Sequence, residues 1–213
     1  RPGENGNYAH GGARARSSST SAAPSSTQQA SLFISDYGVA PANALYVVQF
    51  GGNDIRDALT GNPADAATVL QGAIGDIAAT IQMLYGAGAR HFLVANAPNI
   101  QHAPAVQLGG PIAVAGAGQL VTLYNLGLEG TLSFFDALPG ISIRRLDMGG
   151  FIDEVVTDPE RFGLTNVTAP CLVFFAESDA KCDAPENYLF WDGIHPTSAA
   201  HKALAARALQ SIN

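Results

Sequence analysis

Short apolar runs alternate with long amphipathic ones along this chain, and that alternation restricts the fold more than any other feature. Leu45-Tyr-Val-Val-Gln-Phe50 is an apolar, β-branched run of the kind that fills a buried parallel strand. It ends at Gly51-Gly52-Asn53-Asp54, where a helix can start. From Ala64 to Tyr85 the residues Leu70, Ala73, Ile74, Ile77, Ile81 and Leu84 recur at helical spacing, with Gly86 and Gly88 as stop signals, so this segment reads as an amphipathic helix. Arg90 to Ala95 is the next strand, closed by Asn96-Ala-Pro98-Asn99. A second long helix is expected between about Gly118 and Leu138, built on Leu120, Leu123, Tyr124, Leu128, Leu132 and Phe135. Ile141 to Leu146 alternates as a third strand. Gln28 to Tyr37 has the composition of a short helix, stopped by Gly38 and Pro41, and a final helix over Thr197 to Ser211 presents Ala205, Ala208, Leu209 and Ile212 as its apolar positions. Strands separated by long helices predict right-handed βαβ crossovers and a parallel sheet covered on both faces, an α/β fold.

With 213 residues, 47% hydrophobic and 14% charged, the chain can bury a good core and is expected to form a single domain over 1–213. A net charge of -7 argues against nucleic acid and against an anionic membrane surface as partners. Ala103 to Leu128 carries no charge and is long enough to span a bilayer. Its glycines, Pro104, Pro111, Gln107, Gln119 and Asn125 favour a mobile loop followed by a helix, and no integral membrane segment is expected. Cys171 and Cys182 are either two unrelated thiols or a disulfide closing a loop of about a dozen residues, worth roughly 3 kcal/mol on the chain-entropy model. Two cysteines and low charge favour a secreted or extracytoplasmic protein. They are too few for a zinc site, and His195 with His201 lacks a third ligand, so no metal and no cofactor is expected. The chain shows no signal peptide and does not begin as a natural one should, which implies a missing front end.

The chemistry is concentrated near the end, in Tyr188-Leu-Phe-Trp-Asp192-Gly-Ile-His195-Pro196-Thr-Ser-Ala-Ala-His201. An aspartate three residues before a histidine, with Gly193 allowing a tight turn and Pro196 fixing the exit, can set a carboxylate against one ring nitrogen while the other faces a cleft. That is a general-base arrangement. Asp192 can equally be a strand terminator or cap. The anchor at Phe190-Trp191 and the Ala-rich helix after Pro196, capped by Thr197 or Ser198, favour the functional reading. Beyond the carboxyl end of the Leu45–Phe50 strand, where α/β sheets place their chemistry, Asn53 is a candidate oxyanion donor through its amide. Asn53 and Asp54 also suit ordinary helix caps. Gly12, in the turn of His10-Gly11-Gly12, could offer a backbone N–H to the same oxyanion.

Taken together, Asn-Tyr-Ala-His-Gly-Gly-Ala (7–13), Phe-Gly-Gly-Asn-Asp (50–54) and Trp-Asp-Gly-Ile-His-Pro-Thr (191–197) resemble, in order and spacing, the second, third and fifth sequence blocks of the SGNH, or GDSL, hydrolases. Asn166-Val-Thr-Ala-Pro-Cys171 and Cys182 are similar to the esterase and lipase branch that includes autotransporter passengers and haemolysin-like phospholipases. The resemblance implies Gly12 and Asn53 as oxyanion donors, His195 as general base and acid, and Asp192 as its orienting partner. It further implies a flavodoxin-like three-layer α/β/α fold and hydrolysis of a small-molecule ester without metal or cofactor.

The chain departs from that pattern in one respect. The family's Gly-Asp-Ser block, which supplies the nucleophile on the turn after its first strand, does not occur; Gly75-Asp76 is followed by Ile77 inside a helix. The first strand of the family's sheet is therefore expected to be missing, leaving an unpaired edge to be covered by a complementing N-terminal segment or a second copy. Ser17, Ser18 or Ser19, just after the Gly12 turn, could be recruited as nucleophile, as could a serine from a missing segment; Ser178 is a weaker candidate. Two functions remain open: a Ser-His-Asp carboxylic ester hydrolase of short to medium acyl esters, or a catalytically impaired relic serving as an ester- or glycan-binding or structural domain.

Overall fold

A computed structural model of the chain describes residues 6–17, 21–173 and 180–212. In chain order the elements are α1 (Ser26–Tyr37), β1 (Leu45–Gln49), α2 (Gly52–Thr60), α3 (Ala66–Ala87), β2 (His91–Ala95), α4 (Pro104–Gln107), α5 (Gly110–Phe135), β3 (Ser142–Leu146), α6 (Met148–Thr157), β4 (Asn166–Pro170), β5 (Leu172–Val173), β6 (Ala180–Lys181), β7 (Tyr188–Phe190) and α7 (Ser198–Ile212). The class is α/β, with a parallel sheet and crossover helices. Two compact units divide the chain: Arg1–Ala97 with Thr122–Arg145, and Pro98–Val121 with Leu146–Asn213.

The first unit is built on a sheet of order β1-β2-β3, in which β1 and β2 run parallel from Leu45↔His91 to Gln49↔Ala95. Helix α1 starts two residues earlier than composition suggests, because Ser25 forms a capping box with Gln28. Helix α3 buries Leu70, Ala73, Ile77, Ile81 and Leu84, the positions its periodicity marks, and packs against α1 and α2. Tyr46 of β1 meets Phe33 of α1 and Phe92 of β2, with centroids 5.8 and 5.7 Å apart. The opposite side of β1 is open: Leu45 is 42% and Val47 63% exposed, and within the strand only Val48 is buried. The apolar run thus forms the expected strand but not a buried one: the face that carries Leu45, Val47 and Gln49 is exposed, and among the described residues β1 has a sheet neighbour on one edge, β2.

Helix α5 begins at Gly110, well before the expected Gly118. Gly109–Ala117 carries glycine, alanine and proline but no charge, so it shows no polar face by which a helix could be read. Val121, Tyr124, Leu128, Leu132 and Phe135 are buried, whereas Leu123 is exposed. Both α3 and α5 are long and apolar enough to cross a membrane by length and composition. Each has a buried apolar stripe, the pattern of a core helix.

The second unit contains elements the sequence pattern does not announce: α6, and a parallel pair of β4 with β7 that matches Asn166↔Tyr188 and Pro170↔Phe190 with an irregular register between. Its core is Ala103, Phe151, Ile152, Val155, Leu164, Leu189, Phe190 and Ala200. Cys171 and Cys182 are joined in a disulfide at the base of the antiparallel β5–β6 pair. Thr197 caps α7, its Oγ1 accepting the Ala200 N–H at 3.2 Å and donating to the Tyr188 carbonyl at 2.6 Å. The face α7 presents to its neighbours carries Ala199, Ala200, Ala203 and Leu204. Ala205 and Leu209, expected to face inward, are exposed. Alanines occur all round this helix, and so leave its phase undetermined by pattern alone.

Candidate functional site

The loop from β7 to α7 is folded around one carboxylate. Asp192 Oδ1 accepts the backbone N–H groups of Ile194 at 2.9 Å and His195 at 2.8 Å, while Oδ2 lies 2.8 Å from His195 Nδ1. Three further contacts close the loop. The Trp191 N–H donates to the His195 carbonyl at 2.7 Å, Phe190 bridges to Pro196, and the Gly193 carbonyl accepts the Ala105 N–H at 2.9 Å. The Asp192 side chain is 12% exposed and that of His195 67%. Burial pushes the Asp192 carboxyl up, but the hydrogen bond from His195 and the two backbone N–H groups outweigh it and hold the group below the usual carboxylate range. An ionised Asp192 at Nδ1 fixes the proton there and leaves Nε2 with its lone pair directed away from the loop. This arrangement can accept a proton at Nε2 and stabilise the resulting imidazolium.

Gly12 and Asn53, both in the first unit, are brought together by the turn that precedes α1. The turn is closed by the Ala13 N–H donating to the His10 carbonyl at 3.2 Å, and Gly12 stands at φ 78°, which only glycine adopts freely. Asn53 Nδ2 donates to the Ala13 carbonyl at 2.8 Å, which orients the amide and leaves its second N–H unengaged by the described residues. Neither Asn53 nor Asp54 caps α2; its N-cap is Gly51, without a side-chain cap. Gly51, at φ 109°, lies against the Tyr124 ring, and a side chain there would collide with it. Tyr124 is fully buried and donates to the Phe50 carbonyl at 3.2 Å. Of the paired glycines, Gly52 is the one with open space beside it.

A polar buckle that sequence reasoning missed holds this turn to α2. Asp54, fully buried, accepts the Ala15 N–H at 2.8 Å and the Arg16 N–H at 3.4 Å. Asp57 accepts Arg14 Nε at 2.5 Å and Nη2 at 2.9 Å, and Arg16 Nη2 at 2.7 Å. The Arg14 hydrogen bond is the main reason the Asp57 carboxyl sits below its ordinary value. Burial pushes Asp54 the other way. The available signal was two arginines at alternate positions after a glycine pair and two aspartates three apart on one helix face.

Ser17 is exposed, with its Oγ 3.2 Å from Ser25 Oγ and its N–H donating to Asp76 at 3.2 Å. It borders a cavity of about 740 Å³ with Ser21, Pro24, Gln28, Leu32 and Ser35, and none of these is a base. Ser18, Ser19 and Ser178 lie outside the described residues. Asp192 and His195 belong to the second unit, Gly12 and Asn53 to the first.

The sequence has recognisable relatives. It is 26% identical over 185 residues to the thermolabile hemolysin of Vibrio parahaemolyticus, covering 81% of this chain and 42% of that protein. It is 28% identical over 179 residues to a GDSL esterase/lipase of Arabidopsis thaliana, covering 80% of this chain and 52% of the plant protein. A second Arabidopsis GDSL esterase/lipase matches at 26% over 198 residues, 78% of this chain and 52% of that protein. The chain therefore spans about half the length of these relatives. The family model of GDSL-like lipases and acylhydrolases matches residues 4–208, nearly the whole sequence and all three of its motif blocks; the chain belongs to that family.

Proposed function

We propose that residues 1–213 act as one hydrolase domain that cleaves carboxylic esters of short to medium acyl chains by a Ser-His-Asp type mechanism. The observation that carries this reading is the Asp192–His195 pair, a carboxylate satisfied by two backbone N–H groups and set 2.8 Å from Nδ1. In this reading His195 Nε2 takes the proton of a serine hydroxyl as the oxygen attacks the ester carbonyl, then delivers it to the departing alkoxide. Water deacylates the enzyme by the same route. The Gly12 N–H and the free N–H of the Asn53 amide serve the oxyanion, a role in which one donor is worth about a hundredfold or more in kcat. The nucleophile comes from Ser17–Ser19 or from a segment outside this sequence. An extracytoplasmic location suits the disulfide.

Hydrolysis of p-nitrophenyl butyrate, with fluorophosphonate labelling and peptide mapping, tests the proposal. One mapped serine adduct whose formation stops hydrolysis is the expected result; absence of both in this chain excludes Ser17–Ser19 as the nucleophile, and absence of both when a serine-bearing segment is also supplied refutes the proposal. Ser17 Oγ meets the Ser25 hydroxyl at 3.2 Å and no histidine among the described residues, which favours a second reading, a catalytically impaired relic serving as an ester- or glycan-binding or structural domain, and the same negative outcome would point to it.

We also propose that the open side of β1 is occupied by the β1 strand of a second copy of this chain. Among the described residues one edge of β1 has no strand beside it, its exposed face carries the apolar pair Leu45 and Val47, and self-pairing about a two-fold axis satisfies both partners' backbone groups at once.

A further inference from the structure

A cavity of about 520 Å³ lies in the second unit between α7, α6 and the turn Pro159–Phe162, away from the His195 loop. It exists because α7 turns small residues towards it: Ala199, Ala203 and Ala206 leave space that Phe162 and Phe151 do not fill. The two phenylalanines meet edge to face, centroids 5.6 Å apart, which gives that wall a fixed apolar surface.

The rim is cationic. Arg161, Lys202 and Arg207 line it, three of the chain's 11 Lys and Arg side chains in a molecule of net charge -7. Arg207 donates to Glu154, and Arg161 lies 3.7 Å from the same carboxylate while resting over the Phe162 ring at 5.5 Å. Lys202, exposed at the mouth, forms no ion pair with a described residue. The lining holds these three cations and no carboxylate, and among the described residues Glu154 is the carboxylate that pairs with two of them, so Lys202 presents positive charge beside an apolar recess. Phosphate alone would ignore the recess, and a neutral hydrocarbon would ignore the rim. We propose that this cavity binds a monoanionic amphiphile, a medium-chain carboxylate whose head pairs with Lys202 and Arg207 and whose tail lies over Ala203 and Phe162. Its volume falls within the range of small-molecule sites.

Calorimetric titration of the intact protein with sodium decanoate, below its micelle concentration, tests this site independently of ester hydrolysis. One saturable site is expected, with 1-decanol at least about tenfold weaker and inorganic phosphate without effect. Lys202→Gln should weaken decanoate about tenfold, Ala203→Leu should remove binding by filling the recess, and His195→Ala should leave it unchanged. Lys202→Gln, on an exposed position, keeps the test decisive if Ala203→Leu fails to fold. No binding, equal affinity for 1-decanol, displacement by phosphate, loss in His195→Ala, or affinity unchanged by Lys202→Gln would each overturn the assignment.

Discussion

Arg14 grips Asp57 through two nitrogens of its guanidinium, at 2.5 and 2.9 Å, across 43 residues of sequence. A paired, mostly buried fork of this kind fixes direction as well as distance. It ties the segment after Gly12 to α2, the helix that presents Asn53.

Asp57→Asn should therefore destabilise the protein by about 1–3 kcal/mol at neutral pH, since it leaves Arg14 with an imperfect partner. Arg14→Lys should recover only part, because an ammonium cannot make the forked contact. Urea unfolding at pH 7 measures both; an Asp57→Asn midpoint equal to that of the parent would exclude the buckle as a stabilising device.

Acid should weaken the fold, with opposing contributions that can be separated. Asp57 and Asp192 sit below the ordinary carboxylate value of about 3.9, so their stabilisation is fully present above that value and is lost as pH falls through their lowered values. Asp54 is raised by burial, so ionisation there disfavours the fold, and acidification through its raised value relieves that penalty. Unfolding at several pH values from 6 to 2 should give a shallower acid loss for Asp57→Asn and a steeper one for Asp54→Asn. Parallel curves for all three proteins would contradict this.

For ester hydrolysis, His195→Ala should lower kcat by several orders of magnitude, and Asp192→Asn by about ten-thousandfold with substrate binding retained. The Asn side chain can present its N–H to Nδ1, favouring the tautomer whose Nε2 carries the proton. The KM and kcat of the two variants, measured together, decide the roles, and undiminished turnover in His195→Ala would remove the dyad from the mechanism.

The three strands of the first sheet, the helix between the first two and the histidine loop were legible in the sequence for identifiable reasons. Leu70, Ala73, Ile77, Ile81 and Leu84 announce α3 by period, and Gly193 with Pro196 announces a loop tight enough to return His195 to Asp192. What escaped was of two kinds. Helix α6 carries Gly149-Gly150 and β4 ends in Pro170, so neither looks like the element it forms; the Asp147 cap and the pairing with β7 supply what propensity does not. The buckle escaped because Arg14–Asp57 is a contact between distant segments, and polar residues have no periodicity that would betray a partner.

Association through β1 predicts a dimer by light scattering at micromolar concentration. Val47→Lys should convert it to a monomer, because a charge on the open side of an edge strand opposes pairing. A monomeric parent chain would refute the pairing, and a monomer that acquires an added strand-forming peptide would transfer the role to a complementing segment.

The contact between Gly51 and Tyr124 ties two distant positions into one heritable unit. The phenol ring sits where a side chain at position 51 would have to go, and its hydroxyl holds the Phe50 carbonyl just before it. Any replacement of Gly51 meets both the ring and a backbone angle that costs about 1–3 kcal/mol for other residues. Shrinking Tyr124 relieves the first obstacle and not the second, while releasing the Phe50 carbonyl. Change at the entrance to α2 is thus limited in two steps: with Tyr124 present a side chain at position 51 meets the ring, and with Tyr124 shortened the backbone angle still favours glycine ahead of Asn53.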